Sequence, residues 1–163
     1  MRHPMLFVLS MLALCAIGCV VTPPKTPPIA PKDYYYRATP ERVWNALLLI
    51  YTDLNIPISN MDKSSWFMRS QDMPSPNLWV DCGTDWHGVQ IATKAYVAMN
   101  VTTLLRPSGD STAMRLSIHV GEAVAASAAG NVLVQCVSRG VLEWKVTDEV
   151  RQRLGEPLPS SIR

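Results

Sequence analysis

The chain has 163 residues, of which 48% are hydrophobic and 17% charged, with a formal net charge of +2. That is the size of one domain, and the balance fits a globular chain better than a disordered one. No run of basic residues is present, which argues against a surface that tracks nucleic-acid phosphates.

The N-terminus differs from everything after it. Met1-Arg2-His3-Pro4 carries the positive charge, and Met5 to Ile17 is an uncharged apolar run. A run of about 13 residues matches a signal-peptide h-region and falls short of the roughly 20 that a spanning helix needs. Ala16-Ile17-Gly18-Cys19 follows directly and resembles the bacterial lipobox. In that motif a small residue precedes the cut bond and the cysteine thiol accepts a diacylglyceryl group. Gly18 fits the position before the cut, whereas Ala16 stands where leucine is usual and Ile17 is large for its place. The resemblance implies cleavage before Cys19 and acylation of its thiol. Two or three acyl chains, at about 0.8 kcal/mol per buried CH₂, make such an attachment effectively permanent. The alternatives are an uncleaved anchor that extends the apolar run through Val21, and ordinary secretion. All three place the domain outside the cytoplasm. Val20 is not the aspartate associated with inner-membrane retention, so the lipobox resemblance implies the outer membrane, with the domain in the periplasm.

Val21 to Lys32 holds five prolines in twelve residues. Such a stretch cannot join a helix or a central strand and favours polyproline II at about 3.1 Å per residue. It is expected to be a tether that holds the domain roughly 35–40 Å from the bilayer at full reach. With Cys15 lost with the leader and Cys19 acylated, Cys82 and Cys136 remain as an even pair in a disulfide-permissive compartment. A bridge between them is the favoured reading. Two separate buried thiols, or a reactive Cys82 with His87 as its base, are the alternatives.

The domain opens with Tyr34-Tyr35-Tyr36-Arg37, extended in character. Thr39-Pro40-Glu41 then reads as a helix start, with a hydroxyl N-cap, proline at the first helical position and an acid in the first turn. Val43, Leu47, Ile50 and Leu54 form its apolar stripe, Trp44, Leu48 and Tyr51 widen it, and Asn55 and Pro57 end it. Ile56 to Asn60 and Ser65 to Gln71 predict two strands around a Met61–Ser64 turn, with a break at Met73 to Pro76. Leu78 to Cys82 is expected to be extended and Gly83 to Gly88 a loop. Alternation from Tyr96 to Leu105 and from Met114 to Gly121, around Pro107-Ser108-Gly109-Asp110, predicts a hairpin with one apolar face. Alanine-rich Ala123 to Gly130 fits either a short helix or a mobile loop, and Val132 to Val134 a short strand or the entry to the last helix. Ser138 is a candidate cap for that helix, in which Leu142, Val146, Val150 and Leu154 recur every four residues and which Gly155 stops. The fold class expected is α+β, an antiparallel sheet covered on one face by two amphipathic helices. The organisation is 1–18 leader, 19–32 lipidated cysteine and tether, 33–155 domain and 156–163 loose tail.

Ala38-Thr39-Pro40-Glu41-Arg42-Val43-Trp44-Asn45-Ala46-Leu47, leading through Leu54-Asn55-Ile56-Pro57-Ile58 to Ser65-Trp66-Phe67-Met68-Arg69-Ser70, carries a family resemblance. It resembles the start of the helix-grip-like domains in BamC-type (NlpB) lipoproteins of the outer-membrane β-barrel assembly machinery. The resemblance covers about thirty-five residues and implies a helix-grip-like fold and an envelope role. It implies no binding site, since this chain has one domain rather than two. It also lacks the long segment by which those lipoproteins hold their partner.

Asp81, Cys82, Asp85 and His87 form the one cluster with metal or catalytic potential, but Asp-Cys-x-x-Asp-x-His has no zinc-ligand spacing. His119 alternates outward on its strand, Ser138 lacks a nucleophile elbow, and Glu143 has no carboxylate partner. No catalytic residue, metal or cofactor is therefore expected. Trp66 is assigned to a strand and Trp44 to the helix stripe, which leaves Trp86, in a glycine-flanked loop, as the candidate partner contact. The expected function is a non-enzymatic, membrane-anchored module that binds another envelope component, with an envelope protein as partner and no nucleic acid. The alternative is a carrier or sensor that holds an apolar ligand between the sheet and the C-terminal helix.

Overall fold

The computed structural model describes residues 21–127 and 130–157. The leader, Cys15, Cys19 and Val20, and the end of the tail from residue 158, lie outside the described residues. Among the described residues no helix is long and apolar enough to cross a membrane.

The elements run β1 (Lys32–Tyr36), α1 (Pro40–Asp53), β2 (Ile58–Asp62), β3 (Phe67–Ser70), β4 (Met73–Pro74) and β5 (Val80–Asp81). A 3₁₀ turn (Ile91–Thr93) leads to β6 (Ala98–Ser108) and β7 (Ser111–Val120). Then come β8 (Glu122–Ser127), β9 (Gly130–Gln135), β10 (Val137–Ser138) and α2 (Val141–Leu154). The main sheet is antiparallel, in the order β1-β7-β6-β3-β2, with β4 also paired to β6. Two smaller antiparallel ladders, β10-β5 and β8-β9, form separate sheets. The α+β class read from the sequence is the observed one.

Both helices form because their apolar stripes have somewhere to go. Val43, Trp44, Leu47, Ile50 and Tyr51 of α1, with Leu142, Val146 and Val150 of α2, are buried. They share one core with the inner sheet residues Met68, Met99, Val101, Leu105, Met114 and Leu116. Trp66 meets Trp44 edge-on with centroids 5.8 Å apart, a favoured aromatic geometry. Polar atoms inside this core are paired. The Tyr51 hydroxyl and Thr103 Oγ1 are 2.9 Å apart, and Thr112 Oγ1 donates to the Ala38 carbonyl at 2.6 Å.

The other face of the sheet is wet. Asp33 forms ion pairs with Arg106 and Arg115 at 2.9 and 2.8 Å across β1, β7 and β6. Tyr35 stands exposed on that face, while Phe67 and Leu104, paired in register, are half-buried.

Several local expectations need correction. Thr39 is the N-cap of α1, but its hydroxyl makes no capping bond. Its carbonyl accepts from the Arg42 and Val43 amides instead. Trp66 is not in a strand. It closes the β2-β3 turn at φ 57°, a left-handed conformation costly for a bulky residue, held where its ring meets Trp44. Met73-Pro74 is a two-residue strand against Met99 and Ala98 rather than a break. β6 runs on through Pro107, leaving a tight turn at Gly109-Asp110. From Ala123 to Ser127 the alanine-rich segment is strand β8, neither helix nor loop, with residues 128 and 129 outside the described residues. Val132 to Val134 is strand, within β9, as one of its two readings had it. The cap residue of α2 is Gly140 at φ 80°, not Ser138. Ser138 acts from two residues upstream, where its Oγ accepts from the Gly140 amide and donates to Glu143 at 2.9 Å. Gly155 ends α2 with φ 72°, as its position implies.

Leu47 is fully buried whereas Leu49, on the opposite side of α1, is 55% exposed. Leu47→Ala should cost about 2–5 kcal/mol in urea unfolding, and Leu49→Ala well under 1 kcal/mol. Equal effects would mean that α1 does not seat its stripe as described.

Candidate functional site

Cys82 and Cys136 are joined in a disulfide across 54 residues of sequence. The bridge sits where β5 ends and β10 begins, beside the Val137↔Asp81 and Ser138↔Val80 pairs. Around it lies a second apolar cluster: Val80, Ile91, Ala92, Val97, Ala123 and Ala125. The small side chains of β8 explain its state. Ala123 and Ala125 are buried on one face of the β8-β9 hairpin, where larger residues would hold it off Ile91 and Ala92.

The proline-rich stretch does not stand away from the domain as a free spacer. Thr22 pairs with Thr84 through reciprocal backbone bonds of 2.9 and 3.0 Å. Asp81 Oδ2 then accepts from the Lys25 and Thr26 amides at 3.1 Å each and from the Thr26 hydroxyl at 2.8 Å, while Oδ1 accepts from the Gly83 amide at 2.9 Å. Val21 packs against the disulfide cluster. Gly83, at φ 77°, permits the approach: a Cβ there would stand 1.9 Å from the Thr22 carbonyl oxygen. The stretch is a strap, and the reach calculated for a free tether does not apply to it.

Asp81 is buried in this arrangement. Desolvation acts to raise its pKa, but the donors from Gly83, Thr26 and Lys25 outweigh it and hold the carboxyl below the usual range. Asp85, also buried, builds the next loop. Its Oδ1 accepts from the His87 and Val89 amides at 3.0 and 2.9 Å, and its Oδ2 pairs with Lys94 at 3.0 Å. The Lys94 bond leads the causes that depress its pKa. The loop presents Trp86, 41% exposed, with its ring against His87 at a centroid distance of 3.5 Å. Trp86, His87 and Lys94 form one wall of an open groove of about 430 Å³, and Val124, Ala126 and Asn131 of the hairpin form the other.

The cluster of Asp81, Cys82, Asp85 and His87 is thus brought into one region, but each member has a separate task. Asp81 holds the strap, Cys82 is bridged, Asp85 braces the loop and His87 stacks on Trp86. His119 is exposed on β7. Glu143 is buried and takes the Ser138 hydroxyl bond. Sequence reasoning missed Trp144, 56% exposed on α2, although the four-residue stripe that buries Leu142 and Val146 already turns position 144 outward. It also missed the exposed cross-strand pair Val124↔Leu133, because β8 itself was not recognised. No protein-family model matches the chain, and no curated protein matches it.

Two outcomes follow for the strap. Because the folded pKa of Asp81 is depressed, its contribution is present above the unfolded value near 3.9 and is lost as pH falls through the folded value. In an NMR titration the Lys25 and Thr26 amide resonances should move toward random-coil positions only below about pH 4. Asp81→Ala should abolish their protection from hydrogen exchange at neutral pH; unchanged protection would exclude the carboxylate as their acceptor. Separately, reduction of Cys82–Cys136 should cost about 2–4 kcal/mol in chemical unfolding. A loss under 0.5 kcal/mol would show that the cluster holds without the bridge.

Proposed function

We propose that this chain is a lipid-anchored, non-enzymatic binding module of the bacterial envelope. It is cut before Cys19, acylated on that thiol, and carries its domain in the periplasm beneath the outer membrane. The observation that carries this reading is the combination of an exportable N-terminus ending at Cys19 with a Cys82–Cys136 disulfide in the domain. Structural disulfides persist in oxidising compartments, the destination a lipobox implies.

Surface binding is favoured over enclosure of an apolar ligand by the packing between sheet and helices. Leu142, Val146 and Val150 of the C-terminal helix share one buried core with Met114 and Leu116, in the space such a ligand would need. The open face of the main sheet is available to a protein partner. Tyr35 is exposed there on β1, the half-buried Phe67 and Leu104 lie on β3 and β6, and Arg69, Arg106 and Arg115 share the face. Aromatic residues and arginine are the types enriched at protein interfaces. This envelope role agrees with the resemblance to BamC-type lipoproteins, which concerns the start of the domain alone.

The test is the chemistry of Cys19 in a Gram-negative host. Metabolic labelling with a fatty acid, followed by mass spectrometry of the N-terminal peptide, should find an acylated Cys19 at the mature terminus. Cys19→Ala should remain an uncut, unlabelled precursor. If the variant is processed and sorted like the wild type, the lipoprotein reading fails. A photo-crosslinker at Tyr35 should capture one discrete envelope protein, and Arg106→Glu should abolish the capture. Copurification of a stoichiometric apolar ligand without a captured protein would favour the carrier instead.

A further inference from the structure

We infer that the edge of the domain built from the Trp86–Val89 loop and the β8-β9 hairpin is a membrane-contact surface, seated in the headgroup region of the bilayer that holds the acyl chains. This rests on the acylation of Cys19 proposed above and names what Trp86 meets.

Val20 and Val21 alone separate Cys19 from Thr22, which is hydrogen-bonded to Thr84. Three Cα steps reach at most about 10 Å. A free proline-rich tether would let the domain swing far from the membrane in any orientation. With the strap fastened at Thr84, Asp81 and Gly83, that freedom is gone, and the Thr84 loop is the part of the domain nearest the lipid.

The chemistry of that part suits an interface between water and hydrocarbon. Trp86 lies two residues beyond Thr84, about 7 Å of backbone, and is 41% exposed; Val89, in the same loop, is 38% exposed. Across the groove the hairpin exposes the cross-strand pair Val124, at 55%, and Leu133, at 69%. Indole rings are favoured at the headgroup level, and partly exposed aliphatic side chains add apolar area there. The two carboxylates of the loop that would oppose such a contact are already engaged. Asp81 is committed to the strap, and Asp85 to Lys94 and two amides. Glu122 is exposed at the base of the hairpin, the end away from the Ser127↔Gly130 pair. Lys25 is exposed nearby and carries charge that lipid phosphates attract, while Lys94 offsets Asp85. The surface thereby has a short covalent link to lipid, an interfacial aromatic residue, and an exposed lysine on the strap beside it.

The experiment uses the mature, full-length chain purified from membranes, with Cys19 acylation verified by mass spectrometry. It is reconstituted into phosphatidylethanolamine/phosphatidylglycerol vesicles with or without bromine near the headgroup end of the acyl chains. Bromine quenches tryptophan only at short range. One tryptophan of five should be quenched, a loss of roughly one fifth of the emission. That loss should vanish in Trp86→Phe and persist in Trp144→Phe. A flexible ten-residue insertion between Val20 and Val21 should reduce it at least twofold. If the chain is acylated and Trp86→Phe quenches as the wild type does, the membrane contact is overturned while the lipoprotein reading stands. A photo-crosslinker replacing Trp86 that captures a protein in native membranes, with no quenching in vesicles, would give the surface to a protein partner. A chain that is never acylated would overturn both readings.

Discussion

The Cys82–Cys136 bridge is the constraint from which the rest of this half of the molecule is hung. One residue before Cys82, Asp81 grips the strap; one residue after it, Gly83 makes room for the strap to pass. Immediately before Cys136 the β8-β9 hairpin ends, and two residues after it Ser138 reaches the first turn of α2. Without the covalent join, β5 and β10 would be two two-residue strands held by a short ladder, far below the length at which strands stabilise themselves. The bridge turns that weak pairing into a fixed point. A small apolar cluster, a loop and an N-terminal strap can all be organised around it.

Two kinds of cohesion therefore coexist in one chain. The larger core is held by burial, with two helical stripes on the inner face of a five-strand path, and the disulfide lies outside it. The smaller cluster has few large side chains and many alanines, and depends on the disulfide and on carboxylates saturated with amide donors. The surface features proposed to meet the membrane all belong to this second region. A domain that is stiff at its anchored edge would fix the orientation of its open sheet face as well. On the proposed reading, the strap decides which part of the domain a partner can approach.

The legible parts of the fold were those written in hydrophobic periodicity. Val43, Leu47 and Ile50 announced α1, and Leu142, Val146 and Val150 announced α2. The alternation around Gly109 announced β6 and β7. Cys82 and Cys136 were legible by counting. The alanines of β8 misled because alanine has high helix propensity and the packing that makes the segment a strand is tertiary. The strap was illegible for a different reason. Five prolines read as a spacer because composition records local stiffness, whereas docking depends on backbone amides that meet one aspartate and on the absence of a side chain at Gly83. Trp86 was recognisable as exposed from its glycine-flanked loop, but its stacking on His87 and its place beside the strap were not.

The account turns on whether residues 21–32 are docked. The direct measurement is a nuclear Overhauser experiment on the oxidised, isotope-labelled domain beginning at Cys19. It should show cross-strand contacts between Thr22 and Thr84, together with downfield-shifted Lys25 and Thr26 amides. Random-coil shifts from Val21 to Pro31, with no contact between Thr22 and Thr84, would contradict it and return the stretch to a free tether.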